Sequence, residues 1–475
     1  MTRPRLDALA AIGALALCAV GAALRFTHAN DTFFGDELWV LDYVRGGVYI
    51  PHRFHVPPLF FFAQLLAMHV CGLGERCMRV PAEVAACALT LVPLLVWRTT
   101  RAFGRAGMLV ATALLAFSSP VSFYAARLKQ YTWEALGCAL LLWLFVRATE
   151  DARRWKTFAI VAAICVLVLH ASIFALAATG AASLVYARDW RTRVRLGALH
   201  AGFALLFALA YVAYLKPGAQ DVQEFDLNAY FTNTVPAFWN GSPSFVVHQT
   251  RLWLGQSLNL TRFLLPLVVV LIAAFAVCVV VRRDRTRGSW LIAALAPPLL
   301  VLLASAAHVY PYGEVRLMLF ALPGVVFVFA LAVQWLANLR LVYAAPVFLA
   351  VLLFCTRGET YTTSYMHIRD MRAAYARLEQ WHTPGTPVIC RPFTTLELRH
   401  YTSIPARDWL LRTERAEELV VPANVRTFIT FLDPQDRLRV IAPGAVEQDV
   451  YRDDAVVMRR FARPSGAQTA TTPSP

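Results

Sequence analysis

Long apolar runs separated by small basic clusters organise this chain. A bilayer core about 30 Å thick takes roughly 17 to 25 apolar helical residues per crossing. Runs of that kind extend over Ala8 to Leu24, Val80 to Trp97, Gly107 to Phe123, Leu196 to Leu215, Phe263 to Val281, Trp290 to Ala307 and Leu317 to Trp335. Tyr131 to Val146 and Leu341 to Cys355 are shorter candidates. Phe158 to Ala187 is 30 residues, long for one span and short for two. The basic clusters decide it. They lie at Arg3/Arg5, Arg98/Arg101/Arg105, Arg147/Arg153/Arg154/Lys156, Arg188/Arg191/Arg193/Arg195, Arg282/Arg283/Arg285/Arg287 and Arg340, and the positive-inside rule puts all of them in the cytoplasm. A single crossing would place the two clusters flanking Phe158 to Ala187 on opposite sides, so this stretch reads as a hairpin of two short helices turning near His170. The expected fold is an α-helical polytopic membrane protein of about 11 spans, N-terminus cytoplasmic and C-terminus outside.

Composition sharpens that picture. Of 475 residues, 58% are hydrophobic and 16% charged, a balance that no water-soluble globule of this size could solvate. The net charge of +15 is spread between apolar runs rather than along one soluble face, so it marks topology and excludes a nucleic-acid partner. The first span follows a basic start, as a signal peptide would, but no small-residue cleavage site follows it, and it reads as an anchor. Most of the nine cysteines fall inside spans as small packing residues. Cys71 and Cys77 are the only pair near the outer face, and their pairing stays open.

Three outer segments are long: Arg25 to Arg79, Lys216 to Arg262, and the tail from Thr356 to Pro475. Function belongs there. Leu59 to Val70 is apolar but only 12 residues, too short to span, and reads as an interfacial helix opened by Pro57 and Pro58. The tail changes character, with an amphipathic helix around Arg369 to Trp381 and strand-like runs at Pro387 to Cys390, Thr427 to Phe431 and Leu438 to Ile441. The expected organisation is a membrane domain over 1–355 with outer loops 25–79 and 216–262, a small extracytoplasmic α/β domain over 356–463, and a disordered end over 464–475.

Chemistry gathers in three outer clusters. Phe33-Phe34-Gly35-Asp36-Glu37-Leu38-Trp39 sets two adjacent carboxylates between aromatics just after the first span. They are either solvated loop charges or site residues, and apolar flanks would desolvate them and raise their basicity. Tyr124-Ala125-Ala126-Arg127-Leu128-Lys129-Gln130-Tyr131 puts two cations on an outer turn, against the positive-inside bias. They either snorkel to headgroups or clamp a phosphate. His308-Val309-Tyr310-Pro311-Tyr312-Gly313-Glu314-Val315-Arg316 offers a cation with two phenols, unless Glu314 and Arg316 simply pair.

These residues carry a resemblance. Asp36-Glu37 after the first span, His55-Val56-Pro57-Pro58-Leu59 before an interfacial helix, and Gly74-Glu75 followed by Arg79-Val80-Pro81 opening the second span resemble the GT-C superfamily of integral membrane glycosyltransferases. The order is similar in particular to the bacterial dolichyl-phosphate-mannose protein mannosyltransferase-like group, which includes the aminoarabinose transferase of lipid A. The Tyr124 to Tyr131 and Tyr310 to Arg316 turns resemble that group's tyrosine-cation-tyrosine segment and late aromatic-arginine loop. The resemblance covers residues 1 to about 355. It implies inverting transfer from a polyprenyl-phosphate sugar, in the bacterial inner membrane, to an extracytoplasmic lipid, glycan or protein acceptor. Asp36 and Glu37 would be catalytic. Arg127, Lys129, Tyr131 and Arg316 would bind the donor phosphate, and His55, Tyr310 and Tyr312 would position donor or acceptor. No cofactor is implied, and a divalent metal stays open, because Ala125-Ala126 stands where relatives often carry a carboxylate. A secondary transporter or lipid flippase is the alternative, but it would place ionisable residues at mid-membrane rather than at outer helix ends.

Overall fold

The computed structural model describes residues 3–26, 32–33, 35–49, 56–215, 238–258, 264–340, 347, 371–390, 394–411, 418–421, 424–432, 439–452 and 456–464. The chain divides into two compact units, one of Met1–Ala29 with Val44–Met366, the other of Asn30–Tyr43 with His367–Pro475.

The first unit is helical. In chain order it holds α1 (Arg3–Phe26), the end of α2 (Gly35–Arg45), α3 (Pro58–Cys71), α4 (Glu75–Thr99), α5 (Arg105–Ala116), α6 (Ser119–Ala125) and α7 (Tyr131–Glu150). There follow α8 (Trp155–Val168), α9 (Ser172–Tyr186), α10 (Trp190–Ala210), α11 (Pro243–Ser257), α12 (Leu264–Val281), α13 (Arg285–Ala306) and α14 (Leu322–Leu339). Among the described residues six helices are long and apolar enough to cross a membrane, or seven if α5 and α6 form one span. The chain is an integral membrane protein. Leu341 to Cys355, expected above as one of the eleven spans, lies outside the described residues except for Val347.

Burial orders the bundle. The apolar windows of α7 and α14 are 78% and 83% buried, against 17% for α1 and α10, so α7 and α14 form its centre. The hairpin expected near His170 is present, with α8 and α9 separated at Leu169–Ala171. The Ser172 hydroxyl lies within hydrogen-bond distance of the carbonyls of Leu169 (2.7 Å) and Cys165 (3.0 Å) and reinforces the break. Pro58 occupies the first turn of α3, where its missing N–H costs nothing. A Cys71–Cys77 disulfide then ties α3 to α4.

The run Gly107 to Phe123 is not one straight helix. α5 and α6 meet at 52°, and α5, with 12 residues, is about 18 Å long and cannot cross a bilayer alone. A helix ending at that depth exposes carbonyls that lipid cannot satisfy. Arg25 of α1 answers this, its Nη2 donating to Leu115 O (3.0 Å) and Ala116 O (3.1 Å). The approach depends on Gly21, where a Cβ would stand 2.7 Å from Ala116 O.

The second unit is α/β, with α15 (Arg372–Trp381), β1 (Val388–Cys390), α16 (Thr394–Tyr401), β2 (Trp409–Leu411), β3 (Glu418–Val420), β4 (Thr427–Leu432), β5 (Arg439–Ile441), β6 (Val446–Arg452) and β7 (Val457–Ala462). Its main sheet runs β2-β1-β4-β7-β6, with β1 parallel to β2 and β4, and with β4, β7 and β6 antiparallel. β3 and β5 pair separately. Ala374, Tyr375, Leu378 and Trp381, spaced on one face of α15, pack on Val388, Cys390, Ile429 and Phe431. Burial pushes the Cys390 thiol up to about 12.

Candidate functional site

The carboxylate pair lies not on a loop, as the sequence suggested, but at the second and third positions of α2. The helix forms because Leu38, Leu41 and Val44 recur at helical spacing, and all three are buried. Glu37 is itself only 1% exposed, so it is no solvated loop charge. The segment belongs to the second unit, beside the tail. There the Phe33 amide donates to the Tyr401 hydroxyl (2.7 Å), and the Met371 amide donates to Thr32 Oγ1 (3.3 Å).

The cation turn belongs to the first unit, where α6 ends and α7 begins. Arg127 is 5% exposed with its guanidinium 5.2 Å from the Phe123 ring centre, so it does not snorkel outward. Lys129 is half-buried. Tyr131 opens α7 and meets Tyr124 edge to face at 4.9 Å. Ala125 and Ala126 between them are 0% and 1% exposed.

The third cluster is a tight turn between α13 and α14. Gly313 takes φ +89, and a Cβ there would stand 2.6 Å from Gln249 Cβ, so the turn needs glycine twice over. Tyr312 shares a 2.6 Å hydrogen bond with Thr250, and burial raises its phenol above the ordinary range. Tyr310 donates to Leu317 O (2.8 Å). Burial, then nearby Glu134 and Tyr131, push the Tyr310 phenol well above its usual value, so it stays a neutral donor. Arg316 Nε faces Glu314 Oε1 at 3.2 Å, the pairing that the sequence left open as the bland alternative.

These two turns converge, because Tyr131 and Arg316 both act electrostatically on Tyr310. His55 lies outside the described residues. Sequence reasoning missed Glu134, buried one turn into α7, which accepts the Ala171 amide at the head of α9. It also missed Arg25, Gln64 and Glu83, buried at 1%, 0% and 0%. A charge inside an apolar run was the available signal. No three His, Cys, Asp or Glu side chains gather to hold a metal among the described residues.

No sequence-family model matches this chain, and neither does any curated protein. Its fold is shared with solved structures at low sequence identity. Among solved structures it is similar to ArnT from Cupriavidus metallidurans in the apo state, with a TM-score of 0.54 and 14% identity over 94% of this chain and 97% of that one. The same enzyme bound to undecaprenyl phosphate gives 0.53 and 13% over the same shares. The Archaeoglobus fulgidus oligosaccharyltransferase in complex with Zn and sulfate gives 0.54 and 13%, over 88% of this chain and 67% of that one.

Proposed function

We propose that this protein is a membrane glycosyltransferase that moves a sugar from a polyprenyl-phosphate carrier to an extracytoplasmic acceptor, inverting the anomeric centre. The observation that carries the reading is fold agreement along 94% of the chain with a structure holding undecaprenyl phosphate. The oligosaccharyltransferase tethered to an acceptor peptide, at a TM-score of 0.50, supports an acceptor that is itself macromolecular. Asp36 takes the proton of the acceptor hydroxyl as its oxygen attacks the anomeric carbon. The bond from that carbon to the phosphate oxygen breaks, and its electron pair leaves with the polyprenyl phosphate. Arg127, Lys129 and Arg316 offset the charge that develops there. Glu37 holds the acceptor or a neighbouring cation. Tyr310 and Tyr312 position donor or acceptor, their hydroxyls held by Leu317 O and Thr250 Oγ1.

Buried carboxylates inside spans also suit a transporter, the competing reading. Glu83, however, is nine residues into the 25-residue α4, and Glu134 is four residues into α7. Glu134 sits at the helix end where the Tyr124 to Tyr131 turn lies, which favours interfacial chemistry, while Glu83 is nearer the middle of α4 than its end. The Cys71–Cys77 disulfide suits an oxidising, extracytoplasmic side for the loop before α4. The test is transfer by purified protein in liposomes, supplied with a panel of undecaprenyl-phosphate-linked pentoses and hexoses. Donor-dependent glycosylation of acceptor lipids or proteins is expected. Carrier movement across the bilayer without glycosidic bond cleavage would favour the flippase instead.

A further inference from the structure

The backbone that enters α2 is held from the far end of the chain. Phe33 is 1% exposed, and an amide just ahead of a helix has no helical partner of its own. Its N–H goes to the Tyr401 hydroxyl, 368 positions away in sequence. One residue earlier, Thr32 is 5% exposed and accepts the Met371 amide at the start of α15. Two consecutive residues are thus bonded to two different helices of the tail.

Tyr401 is a firm anchor. Its ring stacks on Tyr375 with centroids 5.1 Å apart and planes 4° from parallel. Tyr375 in turn donates to Glu397 Oε2 (2.6 Å) and stacks on Phe431 of β4. His400 closes the corner, with its ring edge-on to Phe33 at 6.0 Å and to Tyr401 at 4.7 Å. The phenol oxygen is therefore fixed by the sheet and both helices of the tail domain.

We infer that the tail domain is a working part of the transfer site, in which Tyr401 and Thr32 are positioning residues that fix the start of α2 and through it Asp36 and Glu37. This rests on the proposed role of that carboxylate pair. A general base must sit within a fraction of an ångström of its proton, and a misplacement of about 1 Å can cost on the order of 10²-fold in rate. Asp36 is three residues beyond the Tyr401 bond, at the second position of α2. Membrane glycosyl transfer in this protein thus depends on the tail domain that holds the start of the catalytic segment.

Tyr401→Phe tests this, since it keeps the stacked ring and removes only the accepting oxygen. Hydrogen exchange on the full-length protein should quicken in the peptide spanning 32–45 and stay unchanged in 372–381 and 427–432. The transfer assay should show kcat lowered about tenfold with donor KM unchanged. Thr32→Val should do the same from the other contact. In an Asp36→Asn background, Tyr401→Phe should lower the residual rate no further, because a residue that acts through Asp36 has nothing left to act on. Unchanged exchange at 32–45, or full kcat in both Tyr401→Phe and Thr32→Val while Asp36→Asn is inactive, would overturn the inference alone. Losses that multiply with Asp36→Asn would assign Tyr401 to general stability and overturn it too. Full activity of Asp36→Asn would remove the reading beneath it.

Discussion

Arg127 is a buried cation beside an aromatic ring, whereas Lys129, two positions on, is half-buried, and the two therefore call for different experiments. Replacing Arg127 removes packing along with charge. Lys129→Ala reads donor binding more cleanly, and should raise donor KM by roughly 10- to 150-fold, the equivalent of about 1.5 to 3 kcal/mol for a charge-assisted contact. Unchanged donor kinetics would remove it from the phosphate site. For the carboxylates, Asp36→Asn should lower kcat by about 10²- to 10⁴-fold while the protein still inserts. Glu37→Gln should be milder. If Glu37→Gln proves worse, the two roles are exchanged, and if both variants keep full activity the carboxylate pair is not the catalytic centre. The sequence made the pair legible through its adjacency and its aromatic flanks. It could not show that Glu37 is buried, nor that Tyr310 and Tyr312 spend their hydroxyls on Leu317 and Thr250, because a phenol's partner is set by tertiary packing.

Elements were legible in proportion to their length and apolarity. α1, α4, α7, α13 and α14 follow from unbroken runs, and the α8–α9 hairpin follows from charge on both flanks. The break between α5 and α6 was announced by Ser118-Ser119-Pro120, since proline belongs in a first helical turn, yet hydropathy read straight through it. Arg25, which satisfies that break, stands 90 positions from Leu115, beyond any local pattern. Arg25→Met should therefore destabilise the bundle by roughly 2 to 4 kcal/mol, leaving two buried carbonyls unpaired and Glu83 short of a nearby cation. A lowered melting temperature in detergent, matched against an exposed control such as Arg188→Met, checks it. An equal melting temperature for both would mean that other groups hold the break. In the tail, β1, β4 and β5 were visible as apolar runs, whereas β6, an edge strand reading Val-Glu-Gln-Asp-Val-Tyr-Arg, is mostly exposed and carries no apolar alternation.

Across the whole molecule, the positive-inside rule predicts one orientation from the basic clusters. Single cysteines placed within 238–258 or the tail should react with a membrane-impermeant maleimide on intact cells, while positions in 282–287 should react only after permeabilisation. Labelling of 282–287 in intact cells would reverse the orientation. The division into two units was less legible, because nothing in composition tells that Asn30–Tyr43 sides with residues more than 300 positions downstream. That arrangement gives the protein a clock. Translation proceeds at about 5 to 20 residues per second, so Phe33 leaves the ribosome roughly 20 to 70 s before Tyr401 exists to receive its amide. For that interval every helix needed to hold a lipid is being laid into the membrane while the carboxylates lack their support. A nascent or truncated chain would then occupy the bilayer without being competent to cleave its donor, and competence would arrive only with the last hundred residues made.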